Sequence, residues 1–240
     1  MNPYLSSSGL KALARGQLIG HYGTVAGAYF IHMICIMPLT FVASSLFSAQ
    51  TLPGWLLSTI ASFLISLLSG LFIAGEAYMY LKLACNQPVS LRDLFFGFQH
   101  ESPKVLTLQA VLAGLSILTS LPASVLGLFS ASSSGAFNAN GLYIILFLAG
   151  LIADLIISLM FSQIFYLMLD FPDYTAKQLF HKSISLMKKN KRRLFFIQLS
   201  FIPLIFLGYL SCGIGLLWVQ PYTMATEANF YLDLIRKNNS

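Results

Sequence analysis

All 14 lysines and arginines of this 240-residue chain fall in four short clusters, and the long apolar stretches between them are joined in pairs by turns without charge. Those turns read Ser48-Ala-Gln-Thr-Leu-Pro-Gly54, residues Ser130 to Asn140, and Ser211-Cys-Gly-Ile-Gly215. A chain with this distribution has only one class of solution. A soluble domain carries about 25% charged and about 45–50% apolar residues. Here 9% are charged and 57% are hydrophobic, with a mean hydropathy of +0.75. Too little polar surface exists to face water, so the bilayer must serve as solvent.

A membrane-spanning helix needs about 20 mostly apolar residues. Five segments meet this readily: 23–47, 55–83, 104–129, 142–169 and 194–212. A sixth, 214–235, is more polar, with Gln220, Pro221, Thr223, Thr226, Glu227 and Asn229. Counting it as a span places every basic residue on one side: Lys11 and Arg15, then Lys82 to Lys104, Lys177 to Arg193, and Arg236 with Lys237. A five-span chain would leave Arg236 and Lys237 on the far side. The positive-inside rule therefore selects six spans with both termini cytoplasmic. The expected fold is all-α, a polytopic membrane bundle of six transmembrane helices forming one integral membrane domain over residues 1–240. The net charge of +6 follows from retention of basic flanks at the cytoplasmic face, and no nucleic-acid partner is expected.

Each cytoplasmic segment before an outgoing span reads as an amphipathic helix. Over 174–189, Ala176, Leu179, Phe180, Ser183, Ile184, Leu186 and Met187 share one arc, and the lysines share the other. Asp173 is the expected N-cap. A second helix starts at Ser90, where Ser90-Leu-Arg-Asp93 has capping-box form and Leu91, Leu94, Phe95 and Phe98 share a face. The segment 9–20 is the poorest, because Leu18 and Ile19 spoil its stripe. Such helices are expected in the headgroup plane, with their basic faces near anionic lipid headgroups. Interfacial helix, outgoing span and returning span would then recur as parallel units 9–84, 90–169 and 173–237. Pro38, Pro122 and Pro203 each predict a kink in an outgoing span.

Few residues carry chemistry. Asp154 lies near the middle of the fourth span, where an ionised carboxylate costs about 2.5–3.5 kcal/mol on insertion scales and must find a partner. Glu76 in the second span, Glu227 in the sixth and His32 in the first complete a candidate intramembrane polar site. Two readings stand: one shared proton-responsive site, or separate interhelical hydrogen bonds. Ser58, Ser62, Ser66, Gly70 and Ala74, four apart, allow close helix approach, either within the bundle or across a homo-oligomer. Cys35, Cys85 and Cys212 lack paired or metal-ligand spacing and are expected to be free, buried thiols. No zinc-binding His-Glu-x-x-His pair, phosphate loop or Gly-x-Ser-x-Gly elbow is present, so no catalytic, cofactor or metal residue is expected. Ser6 to Gly16 lacks the apolar core of a cleavable signal.

The C-terminal third carries a more specific signal. Ser185-Leu-Met-Lys-Lys-Asn-Lys-Arg-Arg-Leu-Phe-Phe-Ile-Gln-Leu-Ser-Phe-Ile202, then Gly213-Ile-Gly-Leu-Leu-Trp-Val-Gln-Pro-Tyr222 and Ala228-Asn-Phe-Tyr231, resembles a family of bacterial integral membrane proteins known as domain of unknown function 975. The chain departs from the family pattern at Ile202-Pro203, where a glycine and tryptophan are more usual. The resemblance implies a multi-pass protein of the bacterial cytoplasmic membrane and no known activity. With catalytic motifs missing and little extramembrane volume, the expectation is a non-enzymatic accessory or binding component for a lipid, peptide or partner protein. The alternatives are a small-solute or peptide transporter or channel using the intramembrane acids, and a membrane-embedded enzyme.

Overall fold

The computed structural model describes residues 4–47, 51–130 and 137–238. Of the expected uncharged turns at 48–54 and 130–140, residues 48–50 and 131–136 lie outside them. The described residues form helices and no strand: α1 (Ser7–Leu18), α2 (Tyr22–Leu46), α3 (Leu52–Ala84), a 3-10 turn (Leu91–Phe95) running into α4 (Phe96–Gln99), α5 (Ser102–Ser130), α6 (Phe137–Phe161), α7 (Ile164–Asp170), α8 (Ala176–Met187), α9 (Lys191–Leu199), α10 (Ile202–Leu210) and α11 (Leu216–Asn238). Five stretches are long and apolar enough to cross a membrane: Tyr22–Leu46, Leu52–Ala84, Ser102–Leu128, Gly141–Asp170 and Lys191–Leu210. In hydrocarbon every backbone N–H and C=O needs an internal partner, which is why such apolar runs become helices. By length and composition the chain is a multi-pass membrane protein.

The buried core lies toward the basic end of the bundle. Leu10, Leu18, Leu94, Leu108, Ile164, Leu167, Phe201 and Phe230 are buried there. Toward the uncharged end α2, α3, α6 and α10 leave Phe41, Leu46, Leu64, Ile145, Ile152, Phe206 and Leu210 exposed. Apolar exposure on this scale is stable only against lipid.

Helix α11 is the most polar of the long helices and yet packs against α1, α2, α3 and α10. Its polar groups have partners inside the bundle. Asn229 Nδ2 donates to Gln17 Oε1 at 2.6 Å, and Gln17 Nε2 donates to Asn229 Oδ1 and to the Ala84 carbonyl. The Tyr231 hydroxyl donates to Asp170 Oδ2 at 2.6 Å. Low hydropathy in this segment therefore reflects internal pairing rather than exposure to water.

The short helices sit on the bundle. In α1, Leu10, Ala14 and Leu18 are buried at four-residue spacing, while Ile19 is the helix's C-cap and is exposed. Leu18 thus belongs to the stripe it was expected to spoil. Helix α8 packs against α6, α7 and α5, with Ser183 Oγ donating to the Met160 carbonyl at 2.8 Å. Its N-cap is Thr175 in a capping box with Gln178, not Asp173. A threonine hydroxyl followed three residues later by glutamine satisfies two free donors reciprocally, which the aspartate cannot do from its position. The Ser90–Asp93 capping box forms, but it opens a 3-10 turn rather than an α-helix.

The prolines act unequally. Helices α2 and α5 continue through Pro38 and Pro122, and α11 continues through Pro221. The fifth apolar stretch does break before Pro203, between α9 and α10, because proline removes a helix donor. A further break falls at Ser162–Gln163, between α6 and α7, where no proline announces it. The three cysteines are unpaired, but they lie at exposed positions rather than buried ones.

Candidate functional site

His32 and Glu76 face each other across α2 and α3. His32 Nδ1 lies 2.9 Å from Glu76 Oε1, and Nε2 lies 3.1 Å from Ser69 Oγ. Phe72 stacks on the imidazole with ring centroids 5.1 Å apart. Ser69, Phe72 and Glu76 fall on one stripe of α3, the three- and four-residue spacing that puts side chains on a common face. The Glu76 side chain is 3% exposed and that of His32 14%. Burial of this carboxylate is sustained by its partner, since an unpaired one would cost far more.

Ser69 also lines a cavity of about 600 Å³ between α2 and α3, on the side of Phe47 and Ser58. Thr40, Ser44, Ser58, Ser62 and Ser66 supply hydroxyls to its walls, and Ile36 and Ile65 supply aliphatic surface. Several of these hydroxyls donate to their own helix: Thr40 to Met37, Ser44 to Phe41 and Ser58 to Trp55. Each still offers acceptor capacity to the cavity. The His32–Glu76 pair lies behind Ser69, so a chain of polar groups runs from the cavity to a buried carboxylate.

The other two acids stand elsewhere. Glu227 on α11 accepts from Gln198 Nε2 of α9 at 2.9 Å. Asp154 is half-buried in grooves between α5 and α6, beside Ser116, Ser120 and Ser124 on one side and Gln109 and Ser158 on the other. It has no hydrogen-bond or ion-pair partner among the described residues. The structure thus brings His32 to Glu76, gives Glu227 its own amide partner, and leaves Asp154 in a separate groove.

The serine stripe of α3 meets α5 at Ser66 and Gly70. Ser66 Oγ accepts from Gln109 Nε2 of α5 at 2.9 Å, and the Gln109 side chain packs against Gly70. By contrast Gly16, Gly20 and Gly23 face open space. Among the described residues no three His, Cys, Asp or Glu side chains gather as ligands for a metal ion.

A second polar cluster, at the basic end, lies beyond the four candidate residues. Asp233 of α11 is buried, accepting from Arg193 Nη2 at 2.6 Å, Arg236 Nη2 at 2.9 Å and the Leu5 backbone N–H. Arg193 Nη2 also donates to the Leu5 carbonyl. Tyr4 is held between two cations, with the Arg193 guanidinium 4.6 Å and the Lys237 ammonium 3.7 Å from its ring centre. The Asp233–Arg236 spacing, i to i+3, was a visible signal, but Arg193 and Leu5 come from 40 and 228 residues away.

The family model for proteins of unknown function (DUF975) matches residues 1–239. The chain belongs to this family. The matched residues include the apolar segments, the His32–Glu76 pair and the Asp233 cluster. No curated protein and no solved structure matches the chain.

Proposed function

We propose that this protein is a non-enzymatic binding component of the bacterial cytoplasmic membrane, with six spans and both termini cytoplasmic. Its ligand is an amphipathic molecule, a lipid or an apolar peptide, seated in the cavity between α2 and α3. The observation that carries this reading is Ser69, which lines the cavity and hydrogen-bonds His32 over the buried Glu76. Aliphatic and hydroxyl surface on facing walls suits a ligand with one polar end. The buried packing of the polar helix α11 supports a sixth span, and the location of every basic residue supports the orientation.

Transport of a small solute or peptide is the second reading, favoured by a titratable pair at the floor of a membrane cavity. The separate surroundings of Asp154 weigh against one acidic pathway through the bundle.

Purification in mild detergent followed by mass spectrometry tests the binding reading. Wild type should retain a stoichiometric lipid or peptide, and Ser44→Phe, which fills the cavity, should lose it. Repeated recovery of bare wild-type protein, or equal retention by the variant, would refute it. Topology is checked with native thiols in intact cells. Cys212 should react with an impermeant maleimide and Cys85 should not; the reverse would invert the orientation.

A further inference from the structure

A groove of about 370 Å³ runs between α3, α5 and α6. Asp154 lies on its wall, near the middle of the apolar stretch Gly141–Asp170. This carboxylate has no hydrogen-bond or ion-pair partner among the described residues, and no lysine, arginine or histidine lines the groove. The neighbouring polar groups do not supply a donor in its place. Ser158 Oγ donates to the Leu155 carbonyl at 2.9 Å, and Ser162 Oγ donates to the Leu159 carbonyl at 3.2 Å. Gln109 Nε2 is taken up by Ser66 Oγ at 2.9 Å. With those protons committed, Ser158 and Ser162 offer the groove acceptor capacity. Asp154, Ser158 and Ser162 recur every four residues and so share one face of α6.

The break between α6 and α7 adds an independent sign of the same shortage. Gln163 is fully buried, and its Nε2 donates to Ser162 Oγ at 3.1 Å. Its Oε1 has no donor among the described residues. A carboxylate and, two turns on, a buried amide oxygen thus both lack the hydrogen bonds that such groups require.

We infer that this groove binds an organic cation, a primary ammonium group carried on an apolar body, with Asp154 as its counter-charge. A carboxylate inside a span needs a partner, and the described chain brings none to Asp154. An ammonium supplies charge and three donors to a wall of acceptors. Leu112, Ile157, Phe161 and Phe165 form apolar walls for the rest of the ligand, in a groove of the size that small-molecule sites have. A bare metal ion fits less well, because Asp154 is the single acid among the lining residues. Ser66 lines both this groove and the α2–α3 cavity, but Asp154 belongs to the groove alone. The inference therefore does not rest on the α2–α3 reading.

The test places the full chain in nanodiscs of zwitterionic lipid and measures equilibrium dialysis of 4-phenylbutylammonium, with uptake by empty nanodiscs subtracted. The uncharged isostere 4-phenylbutanol is measured in parallel. Wild type should bind the ammonium saturably and more tightly than the alcohol. Asp154→Asn should weaken the ammonium by at least about tenfold, the loss expected for a charge-assisted hydrogen bond, and change the alcohol by less than about threefold. Asp154→Glu should retain the preference for the ammonium, and so should Asp173→Asn, which removes an acid outside the spans. Thermal unfolding should show Asp154→Asn folded, since it loses no internal partner. Equal binding of ammonium and alcohol by wild type overturns the inference, as does undiminished ammonium binding by Asp154→Asn or an equal loss in Asp173→Asn. Wild type that takes up no amine, but holds a stoichiometric protein that Asp154→Asn releases, also overturns it and gives the groove to a partner's basic side chain. Ser44→Phe should leave amine binding unchanged, so failure here and failure of the α2–α3 reading are separable.

Discussion

The carbonyl oxygen of Leu94 occupies the place that a β-carbon on Gly75 would take. The contact is reciprocal, because a β-carbon on Gly97 would meet the carbonyl of Leu71. Two glycines thus let the segment at 91–99 lie directly on α3, with Gly75 next to Glu76 in the chain. Gly75→Ala and Gly97→Ala should each destabilise the protein by about 1–3 kcal/mol through overpacking. Gly114→Ala, in a helix and facing open space, should be neutral or stabilising by up to about 1 kcal/mol. Thermal unfolding in detergent measures all three, and similar losses at Gly75 and Gly114 would contradict the packing described.

Breaking the His32–Glu76 pair leaves a buried carboxylate without its partner. His32→Ala should cost about 1–3 kcal/mol. Combined with Glu76→Gln it should show a coupling of about 0.5–3 kcal/mol in a double-mutant cycle. Strict additivity of the two changes would mean that the pair makes no interaction.

Asp233 should matter more than its exposed partner. Asp233→Ala strands Arg193 and should cost about 3–5 kcal/mol, while Arg236→Gln should cost no more than about 1 kcal/mol. Because Asp233 and Arg193 also hold Leu5, limited proteolysis should cut the N-terminal segment of Asp233→Ala faster. Equal cutting rates would remove the anchoring role.

Cys85 offers a pH test outside the spans. Partial desolvation by the surrounding atoms, and then the negative charge of Asp170, push its thiol above the ordinary value. The thiolate is the reactive form, so alkylation near neutral pH should be slow and should rise with pH to a midpoint above that of a free thiol. Asp170→Asn removes a charge that opposes ionisation, lowers the midpoint and should speed alkylation at pH 7.5. Rates followed in a Cys35→Ser, Cys212→Ser background check this, and a slower reaction would reverse the sign.

Much of the bundle was legible because hydropathy and charge act locally along the chain. The five apolar stretches emerge within a few residues of their expected bounds. The breaks were less legible. Pro203 ends a helix while Pro38 and Pro122 do not, since a lost hydrogen bond can be absorbed or not according to the surrounding packing. Thr175 rather than Asp173 caps α8, because a cap is chosen by the exact start of the helix. Of the candidate site, His32, Glu76, Glu227 and Asp154 were visible as costly residues in apolar runs, but their partners were not. Ser69 and Gln198 are ordinary residues until packing brings them within hydrogen-bond distance of His32 and Glu227.

The sequence by itself determined the solvent of this protein and the segregation of its charge, because the free energy of placing a residue in hydrocarbon is largely a property of that residue. It also marked which few polar groups would need partners. Only the tertiary structure decided who those partners are: Glu76 for His32, Gln17 for Asn229, Arg193 for Asp233. Pairing energies depend on distances of about 3 Å between residues far apart in the chain, and no local pattern encodes them. The uncharged turns and basic clusters set the ends of the bundle, and the packing placed a hydroxyl-lined cavity toward one end and the buried Asp233 cluster at the other.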